Sequence, residues 1–211
     1  MSQNPPAGNP PAAGTPPAAK PPAPAPPKSL QPEWQDAAAE PRAAALRAAF
    51  GARFLGAKSY AGELTVWVEA AAIAEVCAHL KGEGYTYLVD IMGIHQPKVA
   101  DKPLALSYLL HHWDTNGRLR LKVEFADGAE VPTVTTVWKT ANWMEREAWD
   151  LLGIRFAGHP NLERILTWEG FNGHPLRKEF PIEGIDTGAA IYPDTYPEGG
   201  GPVKPKEAPR A

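Results

Sequence analysis

The chain has 211 residues and a formal charge of −3, with 21 Lys and Arg against 24 Asp and Glu, so it carries no general cationic field to draw it onto nucleic acid or anionic lipid. Its one cysteine, Cys77, excludes an intrachain disulfide and leaves an iron–sulfur cluster without its usual four thiolates from this chain. No apolar run approaches the ~18 residues that span a bilayer, and the segment before Lys20 lacks the basic start and apolar stretch of a signal peptide.

Residues 1–35 are mostly Pro, Ala and Gly, with pairs such as Pro10-Pro11 and Pro26-Pro27. Proline has no amide donor and a fixed φ, which predicts an extended, polyproline-like tail with no packed structure. Pro41 suits the first position of a helix over residues 41–50, with Leu46 and Phe50 on one face and Gly51 as the stop. Leu64, Val66 and Val68 alternate with Thr65 and Trp67, so residues 64–68 are predicted as a strand. Ile73, Val76, Cys77 and Leu80 fall at helical spacing and predict an amphipathic helix over residues 70–81, ended by Gly82 and Gly84. Cys77 lies on that stripe, which makes it a packed core thiol and not a nucleophile.

Residues 85–92 are a mostly apolar run, expected as a strand covered on both faces. Residues 104–113 and 118–125 flank Asp114-Thr115-Asn116-Gly117, whose Asn-Gly step favours the primed turn of a tight hairpin. In the second arm Leu119, Leu121, Val123 and Phe125 alternate with Arg118, Arg120, Lys122 and Glu124, so one face meets a core and the other meets water. The pattern predicts an α/β (α+β) fold, a mixed, largely antiparallel sheet with helices packed on one face. From about residue 184 Pro, Gly and charge dominate again, which predicts a second extended tail and a domain over residues 36–183.

Residues 133–181 hold an unusual density of Trp, His, Arg and acids. Asn142 can cap a helix in which Glu145 completes a capping-box-like pair, and Gly153 ends it after Leu152. Within it Arg146 and Asp150 lie one turn apart, as do Trp143 and Glu147. Two Gly-His-Pro triplets, Gly158-His159-Pro160 and Gly173-His174-Pro175, place both histidines in loops, because the residue before proline is pushed to extended backbone.

The run Glu145-Arg146-Glu147-Ala148-Trp149-Asp150-Leu151-Leu152-Gly153-Ile154 is followed by Phe156, Leu162, Arg164-Ile165-Leu166 and Gly173-His174-Pro175-Leu176-Arg177-Lys178-Glu179-Phe180-Pro181. Together with Val131-Pro132-Thr133-Val134 and Trp138 upstream, this pattern resembles the 30 kDa, or C-type, subunit family of respiratory complex I. Family members usually carry Asp where this chain has Glu179, a change that keeps the charge.

The resemblance implies a structural subunit in the peripheral arm of a proton-translocating NADH–quinone oxidoreductase, packed against the large subunit that builds most of the quinone cavity. NADH and quinone are then substrates of the whole complex, with FMN and iron–sulfur clusters in partner subunits and no cofactor or catalytic site in this chain. It also implies a peripheral position on the cytoplasmic face of the cell membrane, reached through the complex alone. The residues expected to form the signature network or partner interface are Trp143, Glu145, Arg146, Glu147, Asp150, His159, Pro160, Arg164, His174, Pro175, Arg177 and Lys178. Arg177 and Lys178 are expected to meet a partner's carboxylates.

Two other readings compete. One is a homologous subunit of a membrane-bound hydrogenase-type complex. The other is a free-standing metal-dependent hydrolase using His159, His174 and nearby acids. Zinc helices usually carry two histidines at i and i+4, a spacing missing here, and the adjacent His111 and His112 would point to opposite faces of a strand. Neither a Gly-x-Ser-x-Gly elbow nor a Gly-x-Gly-x-x-Gly fingerprint occurs.

Overall fold

The structure is a computed structural model that describes residues 32–168 and 171–182. Except for residues 32–35, the two expected tails lie outside the described residues. The fold starts with a short strand, β1 (Gln35–Asp36), and the preceding Trp34 packs its ring on Tyr60 and Trp67. Helix α1 (Pro41–Phe50) follows where Pro41 predicted it. The Glu40 side chain caps it by accepting from the amides of Arg42 and Ala43, and Gly51, at φ 54°, ends it.

Strands β2 (Phe54–Tyr60) and β3 (Glu63–Val68) make a hairpin whose first member has no legible pattern in the sequence. Its two turn residues, Ala61 and Gly62, both adopt positive φ, 51° and 82°. That is a primed two-residue turn built on Ala-Gly, where the usual signal is Asn-Gly. A register shift at Gly56 further breaks the alternation of β2. A turn of 3₁₀ helix at Ala70–Ala72 leads into α2 (Ile73–Gly82), which buries Ile73, Val76, Cys77 and Leu80 as the spacing requires.

β4 (Tyr87–His95), β5 (Leu104–His112) and β6 (Gly117–Phe125) complete a sheet of order β1-β2-β3-β6-β5-β4. All its pairs are antiparallel except β3 with β6. Two expectations are corrected here. The 85–92 run is an edge strand covered on one face only, with Tyr87, Val89 and Met92 each more than 40% exposed. The β5–β6 connection is a four-residue loop, because the last pair is His112 with Gly117 and only Asn116, at φ 50°, takes the left-handed conformation.

Beyond the sheet, β7 (Glu130–Pro132) pairs in parallel with β8 (Arg155–Ala157), and α3 (Ala141–Leu152) lies between them in sequence. All three helices bury side chains in one apolar core with Val66, Leu106, Tyr108, Leu121 and Val123 of the sheet. Full burial of a leucine such as Leu80 contributes roughly 1.5–3 kcal/mol. At the β4 edge the approach of α3 is close: a Cβ on Gly93 would sit 2.4 Å from the Leu152 side chain. The far face of β6 carries Arg118, Arg120, Lys122 and Glu124, and two of its cations pair with Glu63 of β3.

Candidate functional site

The signature residues gather around α3, and two of its acids, Glu145 and Asp150, are fully buried. Glu145 does not complete a capping box. The residue before the helix, Thr140, makes no side-chain cap, and Glu145 instead turns into the core, where it accepts from the Thr133 hydroxyl (2.5 Å) and the Val134 amide (2.7 Å).

Asp150 has a far fuller set of donors. One oxygen accepts from three successive amides, Ile165, Leu166 and Thr167, at 3.1, 2.8 and 2.9 Å. The other accepts from Arg164 at 2.7 Å and from the Thr167 hydroxyl. Consecutive N–H groups aimed at one oxygen form an anion nest. Burial pushes the Asp150 carboxyl up, but these hydrogen bonds outweigh it and hold the group well below the usual carboxylate range. Arg164 extends the network by donating to the carbonyls of Phe171 (2.9 Å) and Gly173 (3.3 Å), with its guanidinium over the rings of Trp149 and Phe171.

The last four carbonyls of a helix have no partner within it. In α3 every one is met. Trp149 accepts from the Gly153 amide (2.8 Å), Asp150 from the His174 ring (2.8 Å), Leu151 from the Leu176 amide (3.0 Å) and Leu152 from Arg177 Nε (2.7 Å). Gly153 sits at φ 74°, and a Cβ there would lie 2.6 Å from the His174 ring, so glycine is required both by conformation and by space. Residues 164–167 and 171–177 thus form a polar collar on the end of α3.

Arg177, expected to meet a partner's carboxylate, is committed within this chain: its two terminal nitrogens grip Asp127 at 2.6 and 2.7 Å. A planar guanidinium matches a carboxylate in this two-bond geometry, and hydrogen bonding from Arg177 lowers the Asp127 pKa. The Lys178 side chain remains exposed, while its amide donates to His95 (3.0 Å). Glu179 is exposed, near His95 (3.5 Å) and Arg177 (3.6 Å).

Arg146 does not pair with Asp150 one turn away. It donates to the carbonyls of Glu163 (3.0 Å) and Arg164 (3.3 Å) and lies over the ring of the exposed Trp143. Glu147 and Pro160 are exposed, and Pro175 is half-buried. The His159 ring is buried, within 3.3 Å of the Asn142 carbonyl, and its Nδ1 accepts from the Asn161 amide. His159 and His174 therefore serve different contacts, and among the described residues no three His, Cys, Asp or Glu converge as a metal site. His111 lies edge-on to Trp113 and His112 edge-on to Tyr85. Asp127 and Thr167, the partners of Arg177 and Asp150, went unmarked in the sequence, and Thr133 stood out only as part of the family pattern, not as the partner of Glu145. Asp127-Gly128 carries a turn signal, but no local pattern marks a partner 50 residues away.

The class defined by this geometry is an α+β domain whose charged motif fastens one helix end to the segment that follows it. Residues 66–186, more than half of the chain, match the family model described as "Respiratory-chain NADH dehydrogenase, 30 Kd subunit". The chain belongs to that family. It is similar to the C-type subunit, numbered 2, of the NADH-quinone oxidoreductase of Rhizobium etli (strain CIAT 652), at 45% identity over 135 residues covering 60% of this chain and 71% of the relative. It is also similar to the C-type subunit of the NADH-quinone oxidoreductase of Geobacter metallireducens, at 38% identity over 141 residues covering 66% of this chain and 87% of the relative. A chain in the solved structure of a membrane-bound sulfane sulfur reductase, an archaeal respiratory membrane complex, shares the fold with a TM-score of 0.58 at 22% identity, covering 67% of this chain and 85% of that one.

Proposed function

We propose that this chain is a structural subunit in the peripheral arm of an NADH–quinone oxidoreductase, that it holds no catalytic site or cofactor of its own, and that it acts by presenting a rigid surface to neighbouring subunits. The observation that carries this reading is the engagement of the charged motif. Asp150, Arg164, His174 and Arg177 are tied to backbone and side chains of this chain, so they brace a domain and are not themselves free to serve a substrate. What the collar holds outward is apolar: Trp143, Leu166, Trp168 and Leu176 are each 47–63% exposed. Such side chains beside a rigid backbone suit a protein interface, where aromatic groups desolvate at little entropic cost.

Partner subunits would supply FMN and the iron–sulfur clusters, and the large quinone-cavity subunit is the proposed main neighbour. The lone thiol supports this division, because Cys77 is fully buried and burial pushes its pKa up, leaving it unsuited to cluster ligation. Among the described residues no helix is long and apolar enough to cross a membrane. We place the subunit on the cytoplasmic face, held there by its partners. The relatives' names favour an NADH–quinone oxidoreductase over the hydrogenase-type alternative.

The test is affinity capture of the tagged full-length chain from detergent-extracted membranes, followed by subunit identification and an NADH–quinone activity assay. Co-purification in a large particle with that activity is the expected result. A ~23 kDa soluble monomer with its own hydrolytic activity and bound metal would overturn the proposal.

A further inference from the structure

Glu145 is a buried carboxyl, and among the described residues its only ion-pair candidate is the ring of His159. Cys77 of α2 and Tyr108 of β5 face it, both fully buried, and the Tyr108 hydroxyl has no hydrogen-bond partner among the described residues. From the 158–161 loop, His159 Nε2 stands 4.0 Å from Oε2. That ring accepts an amide hydrogen at Nδ1, so its remaining hydrogen is on Nε2 and the ring is neutral. The neighbouring Arg146 is turned toward the carbonyls of Glu163 and Arg164. An ionised carboxylate in such a place has lost its water and gained no counter-charge.

A protonated one fits the same atoms. Oε2 lies 2.5 Å from Thr133 Oγ1, which lies 2.9 Å from Thr135 Oγ1, and Thr135 is half-buried where Thr133 is buried. With a proton on Oε2 the acid donates to Thr133, Thr133 donates to Thr135, and Oε1 still accepts from the Val134 amide. The Glu145 proton, the Thr133 hydroxyl hydrogen and the Val134 amide then each have an acceptor, and the two hydroxyls lead from the buried acid toward the surface.

We propose that Glu145, Thr133 and Thr135 form a proton-operated clasp: the protonated acid fastens the 133–135 turn to α3, and loss of that proton along the two hydroxyls loosens the turn. The shift in Glu145 agrees with this geometry. Burial raises its pKa from 4.5 to about 7, against the lowering effect of the Thr133 and Val134 donors. The folded state binds this proton more tightly than the unfolded chain does. The stabilisation is therefore complete below about pH 4.5, falls as pH rises toward about 7 and is gone above it. His159 works in the opposite direction, since burial lowers its pKa and the unfolded chain takes up its proton first.

The experiment uses the full-length chain between about pH 5 and pH 8, followed by amide hydrogen exchange corrected for its intrinsic pH dependence and by infrared absorption of protonated carboxyl groups. Protection of the Val134 and Thr135 amides should fall several-fold as pH rises, together with loss of a protonated-carboxyl band. Glu145→Gln, neutral at all pH values, should lack that band and hold protection constant. Thr133→Val should shift the band by removing its hydrogen-bond acceptor. His159→Gln should leave the pH-dependent loosening in place. The proposal is overturned if Glu145→Gln keeps the wild-type pH slope or if the slope disappears in His159→Gln. Should Glu145→Gln fail to fold, the wild-type spectrum still decides: absence of a protonated-carboxyl band at about pH 5 sinks the clasp.

Discussion

Glu145 and Asp150 lie five positions apart on one helix, both with no exposure to solvent, yet their surroundings push them in opposite directions. Asp150 receives three amides, a hydroxyl and a guanidinium, and stays ionised. Glu145 receives one amide and one hydroxyl, and its pKa climbs to about 7. Burial raises both, so the number and charge of the donors decide the sign. Toward one end of α3 a carboxylate sits in an ion pair inside an anion nest, and toward the other an acid holds its proton more tightly than a free carboxyl does.

The strongest way to break this contrast is Asp150→Ala, which removes the acceptor for all five donors and leaves the Arg164 guanidinium without its carboxylate. Loss of one partner of a buried pair costs roughly 3–5 kcal/mol, so a large fall in the melting temperature of the isolated chain is expected. A fall of under about 1 kcal/mol would show that the collar is not needed for the fold. The acid limb gives a related measurement. A carboxyl held below its ordinary pKa contributes stability above about pH 4 that is lost as pH falls through its folded value, so the wild type should show an acid slope that Asp150→Asn lacks.

Arg177→Ala should cost less, about 1–3 kcal/mol, because Asp127 is half exposed and solvent takes over part of its charge while the Leu152 carbonyl loses its donor. Chemical denaturation of the isolated chain checks this. Arg177→Lys should recover little of the loss, since an ammonium cannot make the two-bond grip and also reach Leu152. An unchanged midpoint in Arg177→Ala, with reduced assembly, would return the arginine to a partner's surface.

Trp143→Ala should have the smallest effect on the isolated domain, within about 0.5 kcal/mol, because the ring is 63% exposed. Its effect should appear in assembly, read as the fraction of chain recovered in the large membrane particle. Equal recovery for wild type and variant would remove Trp143 from the proposed interface. Between them, Asp150 and Trp143 separate the bracing of the domain on the inner side of α3 from the proposed meeting with neighbours on its outer side.

Much of the fold was legible because its cause is local. The helix at residues 41–50 follows from Pro41 and Gly51, α2 from the apolar spacing of Ile73 to Leu80, and β6 from strict alternation against charged residues. The β2 strand was hidden because Gly56 interrupts its register and because Ala61 makes a turn that Asn or Gly usually makes. The exposed face of β4 was misread because an apolar run reports hydrophobicity, not whether a neighbour is present to cover it.

The same division holds at the site. Sequence alone determined which residues belong together, since the long Glu145-to-Pro181 pattern marks the family and names Asp150, Arg164, His174 and Arg177. Only the tertiary structure decided what each one does: that Asp150 pairs with Arg164 and not with Arg146, that Arg177 grips Asp127, and that Glu145 meets Thr133 in place of its own helix end. The physical reason is range. Caps, turns and apolar periodicity act over a few residues and leave a trace in the order of the chain, whereas a carboxylate takes whichever donors the packed fold brings to it, 15 or 50 positions away.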